Sequence, residues 1–106
     1  MKKGDIIYTP FPFTDLMSSK VRPALVLYTD NTDALIAYIT SKDPNSNTAL
    51  TAIILPDDTN GLKRASYIRV EKLLTIEQKI AWGILGNAGE KVVKEVIEKL
   101  VALLRS

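Results

Sequence analysis

The sequence contains neither cysteine nor histidine, and these two absences restrict the chemistry available to it. Without cysteine there is no disulfide, no thiolate metal site and no thiol nucleophile. Without histidine, the chain lacks the side chain that most often acts as acid or base at neutral pH and that most often binds zinc. Any catalysis must therefore rely on Arg, Lys, Thr, Ser, Tyr, Asp or Glu.

The sequence also lacks a long apolar run and a strong excess of one charge. The basic start Met1-Lys2-Lys3 is not followed by the apolar region of a signal peptide, and no segment is apolar over the length that spans a bilayer. We therefore expect a cytoplasmic protein. A formal net charge of +2 permits nucleic-acid binding without indicating it, because dedicated binders usually carry a concentrated basic patch.

The length and composition are those of an ordinary globular chain. It has 106 residues, a hydrophobic fraction of 46% and a charged fraction of 25%. No repeat, linker or low-complexity segment divides it. We therefore expect a single domain over residues 1–106.

Short apolar runs separated by turn-forming residues predict five or six strands. We expect them at residues 4–8, 24–28, 35–40, 49–55, 66–70 and 81–85. Pro10 and Pro12 are expected to interrupt regular pairing after the first strand. The sequence Thr75-Ile76-Glu77-Gln78 fits a capping box and predicts a short internal helix.

A C-terminal amphipathic helix is predicted from residue 87 onwards. Asn87, with Glu90 three residues later, fits a helix start, and apolar residues then recur at spacings of four, three and four. This apolar row is Val93, Ile97, Leu100 and Leu104. The predicted fold class is therefore mainly β, a small and strongly curved antiparallel sheet or barrel with this helix packed on it.

Arg22 is the strongest candidate for a functional residue on local grounds. Pro23 disfavours the helical region for the residue before it, so Arg22 is expected to be extended at the start of a strand, beside a polar loop of residues 15–20. A guanidinium presents a fork of donors that matches two phosphate oxygens. The alternative is structural, a surface pair between Arg22 and Asp5 or Asp15.

Several segments, taken in order, resemble the MazF/PemK family of toxin ribonucleases from toxin–antitoxin pairs. The central one is Val21-Arg22-Pro23-Ala24-Leu25-Val26. The others are Gly4-Asp5-Ile6-Ile7, Phe11-Pro12-Phe13, Ala37-Tyr38-Ile39-Thr40-Ser41, Gly61-Leu62 with Ser66-Tyr67-Ile68, Leu74-Thr75-Ile76 and Leu85-Gly86. The resemblance covers nearly the whole chain. It implies a Src-homology-3-like barrel with a C-terminal helix, as in MazF and CcdB toxins, and a homodimer.

The resemblance also implies an activity and a partner. The activity is sequence-specific cleavage of single-stranded RNA without a metal or other cofactor, and the partner is a cognate antitoxin that blocks the site. In the implied reaction, the ribose 2′-hydroxyl attacks its own phosphate and leaves a 2′,3′-cyclic phosphate and a 5′-hydroxyl. This chemistry suits a chain without histidine or cysteine, because the substrate supplies the nucleophile.

By resemblance, Arg22 and Thr40 are the catalytic residues. Arg22 is expected to stabilise the charge that builds on the phosphoryl oxygens, and the Thr40 hydroxyl to hold a phosphoryl oxygen or a water. The residues expected to bind substrate are Phe13, Ser18, Ser19, Lys20, Ser41 and Lys42. The loop of residues 16–20 lacks the glutamate that many family members have there, so no general base is assigned.

Two other functions stay open. One is a toxin of the same fold that acts without catalysis by poisoning gyrase, as CcdB does, although Arg22-Pro23 and Thr40 follow the ribonuclease branch. The other is an inactive barrel that binds RNA or protein, which the missing loop glutamate permits. Lys63 and Arg64 are expected to be solvated loop charges.

Overall fold

The computed structural model describes residues 1–11, 20–44 and 48–106. The strands are β1 (Asp5–Phe11), β2 (Lys20–Thr29), β3 (Asp33–Thr40), β4 (Thr51–Ile54), β5 (Ser66–Glu77) and β6 (Gly83–Asn87). One α-helix, α1 (Glu90–Arg105), follows the last strand, and 3₁₀ turns at Thr48–Leu50 and Gln78–Ile80 precede β4 and β6.

The strands form an antiparallel sheet in the order β4-β5-β3-β2-β1-β6. The sheet curls into a half-barrel, which confirms the mainly β class predicted from the sequence. The register shifts between Val26 and Tyr28 in the β2–β3 pair, and between Ala37 and Ile39 in the β3–β5 pair. Such irregularities bend a strand and increase its twist, so they contribute to the curl.

Apolar residues cover both faces of the central strands. Residues 24–27 of β2 are all buried, as predicted for a strand covered on both sides. The face that packs against α1 buries a larger cluster, which includes Ile6, Leu25, Ile39, Ile68 and Val96. The opposite face buries a second cluster, which includes Ile7, Phe11, Ala24, Ile36 and Ile76.

The helix α1 packs on the sheet through the apolar row that the sequence predicts, with one exception. Val93 is buried, and Ile97 and Leu100 pack against the larger cluster beside the buried Val96. Leu104 is 74% exposed, so the packed part of the helix ends about one turn before its C-terminus. Within the described residues, no helix is long and apolar enough to cross a membrane.

The start of α1 differs from the prediction. Asn87 ends β6, where its Nδ2 donates to Asp5 Oδ1 at 3.1 Å and its Oδ1 accepts from the Gly89 N–H at 2.8 Å. Gly89 has a φ of 87° and precedes the first helical residue, Glu90. Asn87 therefore joins β6 to β1 and to the chain before the helix, and it does not cap the helix itself.

The prediction that a short helix starts at Thr75 is wrong, because the chain there is part of a strand. β5 continues to Glu77, pairs with β3 and buries Ile76. The Gln78 side chain donates to two carbonyl oxygens of the β2–β3 turn, at 2.7 and 3.2 Å, and does not reach back to Thr75. Strand pairing thus overrides the local capping signal, and the internal helix is the 3₁₀ turn Gln78–Ile80.

Pro10 does not interrupt the sheet. β1 runs through Pro10, which pairs in register with Val21 of β2. The pairing of β1 with β6 ends at Tyr8, so among the described strands β1 has a neighbour on one side alone at Pro10. Proline is tolerated at such an edge because no ladder bond needs its missing N–H. Pro12 lies outside the described residues.

The half-barrel closes where the turn after β4 rests on β6. A Cβ atom added to Gly86 would lie 2.2 Å from the Thr59 carbonyl oxygen and 2.6 Å from the carbonyl carbon of Asn60. The Asn87 N–H donates to the same Thr59 carbonyl at 2.8 Å. Because β4 and β6 are the two ends of the sheet order, this contact brings opposite edges together.

We expect Gly86→Ala to destabilise the protein by about 1–3 kcal/mol, the usual cost of overpacking, because the new methyl group overlaps backbone atoms. Urea unfolding followed by circular dichroism measures the change. Gly83→Ala is the matched control, since no atom lies within 4 Å of a Cβ placed there. Equal stability of the two variants would contradict the close contact.

Candidate functional site

Pairing of β2 with β3 brings Arg22 and Thr40 to neighbouring positions. The last pair of this ladder is Ala24 with Tyr38, so Arg22 and Thr40 each lie two residues beyond that pair, on the same side of it. Residues two apart on a strand share a face, so both side chains lie on the face of Ala24 and Tyr38.

Arg22 and Thr40 line one cavity of about 620 Å³. This volume falls in the range of about 300–1,000 Å³ that is usual for ligand sites. One wall comes from β1, β2 and the end of β3 and also includes Tyr8, Val21, Pro23, Tyr38, Ile39, Ser41 and Lys42. The rest of the lining comes from residues 61–64, here called the 61–64 segment, together with Ser66 of β5 and Leu85 of β6.

All charged residues found in the lining of this cavity are cations. Arg22, Lys42, Lys63 and Arg64 line it, and the described lining residues include no Asp or Glu. A concave surface with charge of one sign attracts ligands of the opposite sign, such as phosphate groups. Lys63 and Arg64 are exposed, as expected of loop charges, but their place in this wall is not indicated by any local sequence pattern.

Arg22 is exposed, and no hydrogen bond or ion pair holds its guanidinium within residues 1–11, 20–44 and 48–106. The alternative pair with Asp5 does not form. The Asp5 carboxylate accepts from the Lys2 N–H at 2.8 Å and from Asn87 Nδ2 at 3.1 Å. Asp15 lies outside the described residues. The donors of Arg22 are therefore available for a ligand.

The Thr40 hydroxyl makes a hydrogen bond to the chain that follows β3. Thr40 Oγ1 accepts a hydrogen bond from the Lys42 N–H at 3.2 Å. A hydroxyl has one donor and two acceptor positions, so this bond leaves the O–H able to donate to a ligand. Ser41 and Lys42, both exposed, line the cavity next to Thr40.

Thr9 lies beside Arg22 on the neighbouring strand. β1 pairs Thr9 directly with Arg22, but Thr9 is not among the residues that line the cavity. The Thr9 side chain is fully buried, and its Oγ1 has no hydrogen-bond partner among the described residues. Leaving a buried hydroxyl unsatisfied typically costs about 1–3 kcal/mol.

The remaining candidate residues are not brought to the cavity by the described structure. Lys20 begins β2 and is exposed, but it is not among the residues that line the cavity. Phe13, Ser18 and Ser19 lie outside the described residues, so their predicted role in binding substrate stays a prediction.

A buried asparagine holds the 61–64 segment in place. Asn60 is fully buried, its Nδ2 donates to the Leu55 carbonyl at 2.9 Å, and its Oδ1 accepts from the Leu62 N–H at 3.0 Å. Gly61 has a φ of +72°, and a Cβ there would lie 2.3 Å from a carbonyl oxygen of β6. Backbone contacts and one buried amide therefore determine where this wall of the cavity stands.

The family model for PemK-like, MazF-like toxins of type II toxin–antitoxin systems matches residues 2–104. The chain belongs to this family. The resemblance stated from the sequence is thereby confirmed, and the protein is the toxin member of such a system. A comparison of the sequence with curated proteins finds no significant match.

Solved structures share the fold of this toxin at low sequence identity. MazF from Deinococcus radiodurans is 21% identical with a TM-score of 0.76, covering 100% of this chain and 97% of that one. An endoribonuclease in complex with its cognate antitoxin, from a mycobacterial species, is 13% identical with a TM-score of 0.77 and coverage of 99% and 95%. Mycobacterium tuberculosis toxin MazF-mt6 is 19% identical with a TM-score of 0.74 and coverage of 95% and 96%.

The turn that leads into the 61–64 segment is also stabilised by a carboxylate. Asp57 Oδ1 accepts from the Thr59 N–H and Oγ1, both at 2.8 Å, and from the Asn60 N–H at 2.9 Å. These hydrogen bonds, led by the Thr59 N–H, favour the charged form and hold the pKa of Asp57 below its ordinary value of 3.8.

This lowered pKa predicts a pH dependence of the stability of the toxin. The contribution of Asp57 is fully present above its unfolded pKa and is lost as the pH falls through its lower, folded pKa. We expect Asp57→Asn to be less stable than wild type at neutral pH, and the difference to shrink below about pH 3.8. Urea midpoints across this range measure it, and a difference that does not vary with pH would contradict it. Asp58→Asn, which removes a carboxylate outside these bonds, is the control.

Proposed function

We propose that this toxin is an endoribonuclease that cleaves single-stranded RNA in the cavity lined by Arg22 and Thr40. The observation that carries the proposal is that Arg22 and Thr40 line one cavity, whose charged residues among those described are all cations. Membership of the PemK-like, MazF-like toxin family supports it, as does the fold shared with a mycobacterial endoribonuclease.

In the proposed reaction the substrate supplies the nucleophile. The ribose 2′-oxygen loses its proton and attacks the adjacent phosphorus, the bond from phosphorus to the 5′-oxygen breaks, and that oxygen takes up a proton. The products are a 2′,3′-cyclic phosphate and a 5′-hydroxyl. Negative charge builds on the phosphoryl oxygens, and the N–H groups of the Arg22 guanidinium donate to them.

The other residues of this wall position the phosphate. The Thr40 O–H donates to a phosphoryl oxygen, while the bond from the Lys42 N–H orients Thr40 Oγ1. Ser41 and Lys42 bind the strand next to the scissile phosphate, and Phe13, Ser18, Ser19 and Lys20 are proposed to bind it beyond the described part of the cavity. No step is assigned to a metal, and no residue is assigned as general base.

We expect Arg22→Ala to lower kcat/KM for RNA cleavage by about 10²–10³, the usual loss when one donor to transition-state charge is removed. Purified protein is incubated with mixed-sequence RNA in excess chelator, and the new ends are mapped as cyclic phosphates and 5′-hydroxyls. Arg105→Ala, which removes an exposed cation of α1 outside the cavity, is expected to cleave at the wild-type rate.

Two outcomes would contradict the proposal. One is RNA that stays intact with the wild-type toxin, and the other is cleavage that is unchanged in Arg22→Ala. Inhibition of gyrase supercoiling without RNA cleavage would favour the alternative of a non-catalytic toxin.

We also propose that the toxin forms a homodimer and binds a cognate antitoxin in the cytoplasm. Solved structures with this fold include a MazE–MazF complex from Deinococcus radiodurans. Trp82, just before the edge strand β6, is 72% exposed, and Ile84, within β6, is 55% exposed. Both side chains offer apolar area for a protein contact. Sedimentation equilibrium is expected to give twice the 11.7 kDa mass of one chain, and a monomer at micromolar concentration would contradict the dimer.

A further inference from the structure

We propose that the 61–64 segment is a second phosphate-binding wall, on which Lys63 and Arg64 hold a phosphate of the RNA strand next to the one that is cleaved. The inference rests on the proposed function, because it takes the ligand of the cavity to be single-stranded RNA. It adds a second contact to the one made by Arg22 and Thr40.

The charges of the cavity exceed what one phosphate group needs. Arg22 comes from β2 and Lys42 from the chain after β3, whereas Lys63 and Arg64 come from the 61–64 segment, and the described lining has no carboxylate to offset them. A phosphodiester carries one negative charge. A strand that passes between the walls brings successive phosphates, and these match cations on both sides.

The backbone of the 61–64 segment is held at both ends. At its start, the Leu62 N–H donates to the buried Asn60 Oδ1 at 3.0 Å. At its end, Ser66 Oγ, which is also buried, donates to the Arg64 carbonyl at 3.0 Å. Ordering a loop on binding costs free energy, so a segment that is already held loses less when it takes a ligand.

The two cations themselves are available. Lys63 and Arg64 are exposed, and within the part of the chain that the structure describes their side chains form no hydrogen bond or ion pair. The contacts that hold the segment use its backbone, so they do not occupy these side chains. This combination of a held backbone and free cationic side chains is what a phosphate contact requires.

The test measures binding of an RNA that cannot be cleaved, with 2′-O-methyl ribose in place of the attacking hydroxyl. For single strands, log K falls with log salt concentration with a slope of about −0.7 for each phosphate contacted. We expect the double variant Lys63→Gln/Arg64→Gln to bind more weakly at low salt and to have a slope shallower by about 0.7. Lys91→Gln/Arg105→Gln removes the same charge from α1 outside the cavity and is expected to keep the wild-type slope.

Cleavable RNA gives a second readout. Because Lys63 and Arg64 contact a phosphate that does not react, the double variant is expected to raise KM and to keep kcat within about twofold of wild type. The catalytic variant Arg22→Ala is expected to lower kcat. If circular dichroism shows that the double variant does not fold, the same measurements are made on the single variants Lys63→Gln and Arg64→Gln.

The outcomes separate this inference from the proposed function. If the wild-type toxin cleaves RNA and the slope is unchanged in the Lys63/Arg64 variants, or falls equally in the α1 control, this inference is overturned and the proposed function stands. If the wild-type toxin neither binds nor cleaves RNA, both are overturned. A shallower slope restricted to the Lys63/Arg64 variants supports the second wall.

Discussion

The close contact between Gly86 of β6 and the turn at Thr59 and Asn60 is the constraint on which the site depends. β4 and β6 are the edges of the sheet, and an exposed edge presents unpaired backbone groups. The turn after β4 covers the β6 edge, and the Asn87 N–H bonds to its Thr59 carbonyl. This contact holds the start of the 61–64 segment, in addition to the hydrogen bonds of Asn60 and Ser66. Part of the cavity lining thus comes from sheet strands, and part comes from the 61–64 segment.

The second requirement is the register of β2 against β3. A shift by one residue would send the Arg22 side chain to the opposite face of the sheet, because side chains alternate along a strand. Residues 24–27 are buried in clusters on both faces, so such a shift would expose or misplace core side chains. The same apolar packing that stabilises the sheet therefore keeps Arg22 and Thr40 beside the same cavity.

Features that depend on local pattern were predictable from the sequence, and features that depend on distant contacts were not. The buried strand at residues 24–28 and the apolar face of α1 follow from continuous or periodic hydrophobicity. Thr75 fits a capping box but lies in β5, because pairing with β3 decides its conformation. Arg22 and Thr40 could be predicted as candidate catalytic residues from the family resemblance. The position of Lys63 and Arg64 in the cavity lining could not be predicted, since it depends on a contact between residues 60 and 86.

The way the 61–64 segment is held has a consequence for how this toxin can change over evolution. Asn60, Gly61 and Gly86 position the segment, whereas Lys63 and Arg64 contribute exposed side chains. Exposed substitutions usually change the free energy of unfolding by less than about 0.5 kcal/mol. The residues that position this segment are therefore different from those whose side chains contact a ligand under the proposed function. Related chains can alter the chemistry of this wall, and with it the ligand they accept, without rebuilding the barrel.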